Sequence, residues 1–310
     1  MRTLRIGTRG SALALWQARF VQRRLGELAD VQTEIVVIKT AGDRIAQTSV
    51  GQIGLKGVFI KELEDALQDE RVDLAVHSMK DVPTEIPDGL MICAIAERAD
   101  VRDCLVSKDG TSFANLPRGA RIGTSSLRRQ AQLRGHRPEI QMSELRGNVD
   151  TRLRKVQTGE VDAIVLAKAG LDRLGLAERI TEVFAAEFLL PAAGQGALGM
   201  ECRADDSGVA DALRALDHAP TRAAVLAERA VLARLEGGCQ VPLGVWGRCT
   251  DGELRLDACL LSPDGAQSIR GGASGSVQNA AGVGNQLAEW MFSQGAGELL
   301  RLAGRDLHAQ

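Results

Sequence analysis

Arg121-Ile122-Gly123-Thr124 repeats, letter for letter, the tetrapeptide Arg5-Ile6-Gly7-Thr8 near the start of the chain. A second pair stands downstream of each copy: Val72-Asp73-Leu74-Ala75-Val76 and Val161-Asp162-Ala163-Ile164-Val165. In both copies the first motif precedes a helix-prone stretch, and the second, an apolar run, opens into a short polar loop. Leu4 and Ile6 mark a short strand, after which Ala14, Ala18, Val21, Leu25 and Leu28 recur with helical spacing. Two copies of a strand-loop-helix unit predict two related α/β domains. Open α/β sheets bind ligands outside the carboxyl ends of their strands. The loops after the four strands are therefore expected to face one cleft and to bring Arg9, Ser11, Ser78, Lys80, Asp81, Thr124, Ser126, Arg128, Arg129, Lys168 and Arg173 around a shared space.

Outward from the repeat, Ser11 is placed to cap the first helix, which sets Arg9 at the positive end of its dipole, a ready anion site. Thr33 to Thr40 reads as a second, buried strand, and Ile60, Leu63 and Leu67 mark the next helix. Between them Ala41 to Gly57 is Gly-rich and without period, which makes it the candidate lid. Arg98 to Arg102 holds the expected crossing to the second domain, and Leu189 to Leu198, with Pro191, Gly194 and Gly196, holds the return. Helical patterning resumes from Val209 to Leu216 and from Arg222 to Leu235. Three short strands (Leu243 to Arg248, Glu253 to Leu261, Gln267 to Gly272) and a helix from Gly282 to Leu302 then read as a third, α+β domain. The expected boundaries are 1–97 with 197–217, then 98–196, then 218–310, and the length of 310 residues suits two or three cores.

The formal net charge is −2, so any basic site must be local. Six cysteines without a CxxC pair or compact spacing are read as reduced thiols, and no zinc site is expected. Aromatics are 3% and tyrosine is absent, which disfavours a base-stacking nucleic-acid surface. No run of eighteen apolar residues and no export-type leader is present, so the expectation is a soluble protein that is not exported.

From Arg118 to Lys155 nine arginines and one lysine face three acids, Glu139, Glu144 and Asp150. Arginine in this number points to bidentate recognition of carboxylate or phosphate. A solvated helix face accounts for Arg134, Arg137 and Arg154; it accounts poorly for Ser125-Ser126-Leu127-Arg128-Arg129, where adjacent arginines follow the repeated loop beside hydroxyl donors. A polycarboxylate or polyphosphate small molecule suits the pattern. Lys80-Asp81 places a cation and an anion side by side. In an arginine-rich cleft such a carboxylate stays ionised and can hold a developing cation or exchange protons with a leaving amine.

One thiol stands apart. Cys239 lies in Glu236-Gly237-Gly238-Cys239-Gln240-Val241-Pro242, where two glycines remove bulk beside the sulfur and the proline ends any regular element. This is either a tight turn with an incidental cysteine or a reactive site open to something bulky.

Taken together, Arg5 to Gln17, Gly54 to Glu64, Val76-His77-Ser78-Met79-Lys80-Asp81-Val82-Pro83, Ile122 to Arg129, Leu145 to Leu153, Pro191 to Leu198 and Gly238 to Pro242 resemble the porphobilinogen deaminase family, in this order and over nearly the whole chain. The resemblance implies three domains, the first two like type II periplasmic binding proteins and the third α+β. It implies a cytoplasmic or plastid enzyme, here expected to be cytoplasmic and monomeric, a transferase of tetrapyrrole synthesis that joins four porphobilinogens head to tail, releases ammonia and yields hydroxymethylbilane, with no nucleic acid, membrane or metal involved.

In such enzymes a loop cysteine holds one dipyrromethane cofactor through a thioether, and Cys239 occupies that position. Asp81 matches the catalytic aspartate, with Lys80 and Arg9 beside it. Ser11, Gln17, Ser78, Thr124, Ser126, Arg128, Arg129, Arg146, Arg152 and Arg173 match cofactor and substrate contacts, and Lys56 lies on the loop expected to move. Each pyrrole brings an acetate and a propionate, which explains the arginines; loss of ammonia leaves a cation that Asp81 can stabilise. Two other classes remain in view. An anion-binding protein without catalysis explains the arginines but not Asp81 with a loop thiol. A cysteine transferase or hydrolase needs a base, and of the four histidines only His77 adjoins a site loop.

Overall fold

The computed structural model describes residues 3–29, 31–39, 60–235 and 241–304. The first part of the chain forms β1 (Leu4–Thr8), α1 (Ala12–Ala29), β2 (Thr33–Val37), α2 (Lys61–Gln68), β3 (Leu74–Ser78) and β4 (Leu90–Ile95). The next forms β5 (Asp103–Ser107), β6 (Arg121–Gly123), α3 (Leu127–His136), β7 (Gln141–Ser143), α4 (Val149–Gln157), β8 (Ala163–Ala167), α5 (Lys168–Arg173) and β9 (Glu182–Val183). β10 (Leu198–Arg203), α6 (Ser207–Arg214) and α7 (Ala219–Arg234) follow, then β11 (Leu243–Thr250), β12 (Glu253–Leu261), β13 (Ser268–Ser276), α8 (Ala280–Ser293) and α9 (Ala296–Leu302). Residues 1–99 with 196–222 form one compact unit, and 100–195 with 223–310 form a second.

The first unit holds a five-stranded sheet of order β2-β1-β3-β10-β4, and the second unit holds one of order β7-β6-β8-β5-β9. In each the first three strands are parallel and the fourth runs antiparallel to the third. The inserted fourth strand is in each case the one that follows a crossing of the chain. Register agrees as well as order: Ile6 and Gly7 pair with Leu74 and Ala75, and Ile122 and Gly123 pair with Ala163 and Ile164. The sequence repeat is thus a structural repeat, residue for residue.

The repeated letters have physical reasons. Arg5 donates its backbone N–H to Asp73 Oδ2 over 2.8 Å and its Nη2 to Oδ1 over 2.9 Å, tying β1 to the start of β3. Arg121 does the same to Asp162, over 2.7 and 3.5 Å. The glycine of each motif leaves room for its neighbours: a Cβ on Gly123 would meet Leu145 Cδ2 at 2.8 Å, and one on Gly7 would meet Val72 at 3.0 Å.

Both sheets are covered on two faces, so Leu74, Ala75 and Val76 of β3 and all of β8 are apolar without alternation. In the first, Leu74 and Val76 join Ile6, Ala18, Val21 and Leu25 of the α1 side, while Ala75 joins Leu63 and Leu67 of α2. In the second, Ala163 and Val165 pack with Leu133 of α3, while Ile164 and Leu166 pack with Leu153 and Val156 of α4.

The C-terminal part is an antiparallel sheet, β11-β12-β13, with its own core. Leu254, Leu256, Ala258 and Leu260 of β12 alternate toward Val283, Leu287 and Met291 of α8, while Cys259 and Leu261 turn the other way onto Ala131 and Leu190. Glu228 of α7 fastens the same junction: its fully buried carboxylate accepts from Gly194 N–H and Gly247 N–H, each over 2.7 Å. Two α/β layers of one topology and an α+β C-terminal part therefore match the expected fold class.

Several expectations are corrected. The second strand ends at Val37 and is not buried, because β2 lies at the edge of its sheet and no residue of it is fully enclosed. The single helix expected from Gly282 to Leu302 is two, broken at Gly295, whose φ of 97° no helix interior accommodates. The last strand runs to Ser276 rather than Gly272, because its glycines let Trp290 and Val283 close onto the sheet. The thiols are not all reduced: Cys93 and Cys202 are joined as a disulfide between β4 and β10, with Cα atoms 6.4 Å apart. A separation of 109 residues hid this, since only the return of the chain as β10 beside β4, where the register skips Cys93, brings them together. The candidate lid, Ala41 to Gly57, lies outside the described residues.

Candidate active site

In the first unit, β1 and β3 are adjacent and parallel, so the loops at their carboxyl ends adjoin. Arg9 and Ser11 follow β1. Ser11 caps α1 as expected, its Oγ accepting from Ala14 N–H over 3.3 Å while its carbonyl accepts from Leu15. Gln17, on the buried face of α1, donates from Nε2 to Ser78 Oγ over 2.8 Å and ties the helix to the end of β3.

From Ser78 the chain makes one tight helical turn, Met79–Asp81. Met79 is buried and donates its N–H to Ala197 O, and Val82 closes the turn onto Met79 O. Lys80 is half-buried, and Asp81 projects from the turn exposed. One sheet edge thus collects a capped helix start, two hydroxyls, an amide, two cations and a carboxylate.

In the second unit the corresponding edge is basic. Thr124 is fully buried, its Oγ1 accepting from Ser126 N–H over 3.2 Å, and Ser126 begins α3. Arg128 and Arg129, expected at the ligand, are buried and meet on one carboxylate, Asp103 at the start of β5. Arg128 Nη1 donates to Asp103 Oδ2 over 2.8 Å and Arg129 Nη2 to Oδ1 over 2.7 Å; Gln195 Nε2 adds a third bond to Oδ1 over 2.9 Å. Burial alone pushes the Asp103 carboxyl up, but the two guanidiniums outweigh it and hold it far below the ordinary range.

Arg173, at the end of α5, has its guanidinium pushed down to about 10 by burial, against Asp172, which raises it. Arg152 Nε donates to Gly147 O over 2.7 Å, while exposed Arg146 pairs with Glu144. Lys168 bridges to Asp172 over 2.6 Å. Cys239 and Lys56 lie outside the described residues.

Two guanidiniums sharing one carboxylate leave an excess positive charge in a buried place, and Nε of Arg128 and of Arg129 find no hydrogen-bond acceptor among the described residues. A buried excess of this sign favours an anionic ligand. The donor set therefore fits a group that carries several carboxylates, as a dipyrromethane does. Two of the described thiols fit a reactive role poorly: burial pushes Cys104 up to about 12 and also raises Cys259, which suppresses the thiolate.

Asp103 was not singled out from the sequence, nor were Gln195 and Glu228. The available signal was an acid at the head of an otherwise apolar stretch, Asp103-Cys104-Leu105-Val106, directly after the crossing. A buried acid there demands a cation, and the adjacent arginines were the candidates.

No helix among the described residues is long and apolar enough to cross a membrane. Residues 4–211 match the family model described as porphobilinogen deaminase, dipyromethane cofactor binding domain, and residues 222–293 match its C-terminal domain. Porphobilinogen deaminase from Desulforudis audaxviator is 52% identical over 299 residues, covering 95% of this chain and 96% of the relative. The enzyme of the same name from Trichlorobacter lovleyi is 49% identical over 298 residues, covering 96% and 95%. Among solved structures, an ABC-transporter periplasmic substrate-binding protein from Coxiella burnetii superposes with a TM-score of 0.44 at 14% identity, over 69% of this chain and 92% of that one. On the two domain matches and the near full-length identity, the chain belongs to the porphobilinogen deaminase family.

Proposed function

We propose that the work of this transferase is divided between Cys239, which anchors the growing chain, Asp81, which serves the reacting ring, and the arginines of the second unit, which hold carboxylates. The family reaction joins four porphobilinogen molecules head to tail with loss of ammonia and gives hydroxymethylbilane. The dipyrromethane cofactor, when bound, supplies the free pyrrole end from which the product is extended.

The chain's own residues then have distinct tasks. Asp81, exposed on a turn whose backbone is held from below, offers a carboxylate to positive charge that develops as ammonia leaves. Lys80 beside it and Arg9 near the capped start of α1 receive substrate carboxylates, as do Ser11 and the N–H groups of the first helical turn. Gln17 fixes Ser78 and so orients the loop. Arg128, Arg129 and Arg173 supply buried positive charge, with Thr124, Ser126, Arg146 and Arg152 around them, and Lys56 belongs to the same set by sequence. A thioether at Cys239 withstands repeated cycles where a serine ester would hydrolyse.

The observation that carries this reading is the gathering of Arg9, Ser11, Gln17, Ser78, Lys80 and Asp81 at the carboxyl edge of two adjacent parallel strands. Asp81→Asn tests it: turnover should fall by about a hundredfold or more with the cofactor still attached. Unchanged turnover would make Asp81 a turn residue only. The reading also takes the enzyme as a cytoplasmic monomer with domains at 1–97 with 197–217, 98–196 and 218–310; sedimentation and limited proteolysis test the last two of these.

A further inference from the structure

His77 immediately precedes the Ser78–Asp81 loop, and its Nε2 lies 2.9 Å from Glu201 Oε2 on β10, with both side chains almost fully buried. Glu64 of α2, the helix that covers this face, belongs to the same cluster: burial, then the charge of Glu201, push its carboxyl above the ordinary range, while His77 draws it down. Glu201 Oε1 has no hydrogen-bond partner among the described residues. Burying His77 and Glu201, with half-buried Glu64 against them, is costly, and the mechanism above uses none of the three.

The internal repeat supplies a control. His77 stands opposite Gly199 and Glu201 opposite Ala75, as Leu166 stands opposite Cys104 and Val106 opposite Ile164. The N–H groups of Arg71 and Val72 both donate to Ala66 O, as those of Glu160 and Val161 both donate to Lys155 O, which puts Glu64 at the position of Leu153. The trio His77, Glu201 and Glu64 is therefore Leu166, Val106 and Leu153 in the second copy, three members of one apolar cluster.

At the opposite end of the same strands the polar residues persist in both copies. Asp73 is held there by Arg5 and Arg203, and Asp162 by Arg121 with Lys108 nearby. The architecture keeps that cluster twice and the His77 trio once, in the copy whose loop carries Lys80-Asp81 where the other carries Ala169-Gly170.

We propose that His77 and Glu201, with Glu64 against them, are positioning residues for the reaction at Asp81: their charge-assisted hydrogen bond fixes the end of β3 from which Ser78, Lys80 and Asp81 project. A carboxylate-imidazole bond is stronger and more directional than apolar packing, and small displacements of a reacting group are costly to rate. This rests on the reading of Asp81 given above.

The test exchanges the trio for the residues of the second copy, His77→Leu, Glu201→Val and Glu64→Leu together, and compares it with Glu201→Gln and with Asp81→Asn. The readouts are kcat, KM for porphobilinogen, thermal midpoint and intact mass. The exchanged protein should keep the wild-type mass increment and KM, melt at or above the wild-type temperature, and lose about tenfold to a hundredfold in kcat; Glu201→Gln should fall between. Wild-type kcat in the exchanged protein overturns the proposal, as does a loss of kcat that follows a loss of thermal stability. Should the exchanged protein not fold, Glu201→Gln decides: a lowered kcat at unchanged KM supports positioning, and unchanged kcat overturns it. Full activity in Asp81→Asn would overturn the reading of Asp81, whatever the trio does.

Discussion

Arg128 Nη1 donates to Asp103 Oδ2 over 2.8 Å although both side chains are buried. With Arg129 on the other oxygen, the carboxylate sits at the centre of the basic edge and its ionisation is linked to folding. Its folded pKa is depressed from the ordinary 3.8, so it contributes stability above that value, and the contribution is lost as pH falls through the folded value. Asp103→Asn should therefore cost about 3–5 kcal/mol at neutral pH and flatten the acid side of a plot of Tm against pH. An unchanged acid limb would contradict the assignment.

Burial disfavours the guanidinium of Arg173, as it does that of Arg128, and holds it at about 10; a bound carboxylate would relieve it. Arg173→Gln should lower kcat/KM by about tenfold or more, with little change in Tm. Steady-state kinetics beside a melting curve would show this; a large loss of Tm with unchanged kcat/KM would assign the residue to folding.

Cys93 and Cys202, both in the first unit, close a loop of 109 residues. Reduction, or Cys202→Ser, should cost about 2–4 kcal/mol. Thiol titration after denaturation without reductant should find two fewer thiols than after reduction. Equal counts would show the pair to be open.

Gly123 and Gly26 should respond oppositely to alanine. A Cβ at Gly123 runs into Leu145, which predicts a loss of about 1–3 kcal/mol, whereas nothing stands within 4 Å of one at Gly26 in α1. Gly26→Ala should stabilise by up to about 1 kcal/mol. Denaturant melts of the two variants separate the cases.

Much of the architecture was legible because the fold uses its two copies in the same register, and Arg5, Gly7 and Asp73 are constrained by the same contacts as Arg121, Gly123 and Asp162. Ser11 as helix cap was legible from local chemistry alone. The partners of Arg128 and Arg129 were not: a sequence displays charge but not burial, and Asp103 reaches them only because β5 enters the second sheet beside β8. The Cys93–Cys202 pair and the His77–Glu201 pair depend in the same way on β10 returning beside β3 and β4. Gly295 could have marked a helix end, but the apolar pattern on both sides of it concealed the break.

The anchoring role of Cys239 is tested most directly by the intact mass of the denatured, purified, active enzyme. It should exceed the polypeptide mass by one covalently held dipyrromethane, and Cys239→Ser should lack that increment. An active preparation with the bare polypeptide mass, or an increment that survives in Cys239→Ser, would contradict it.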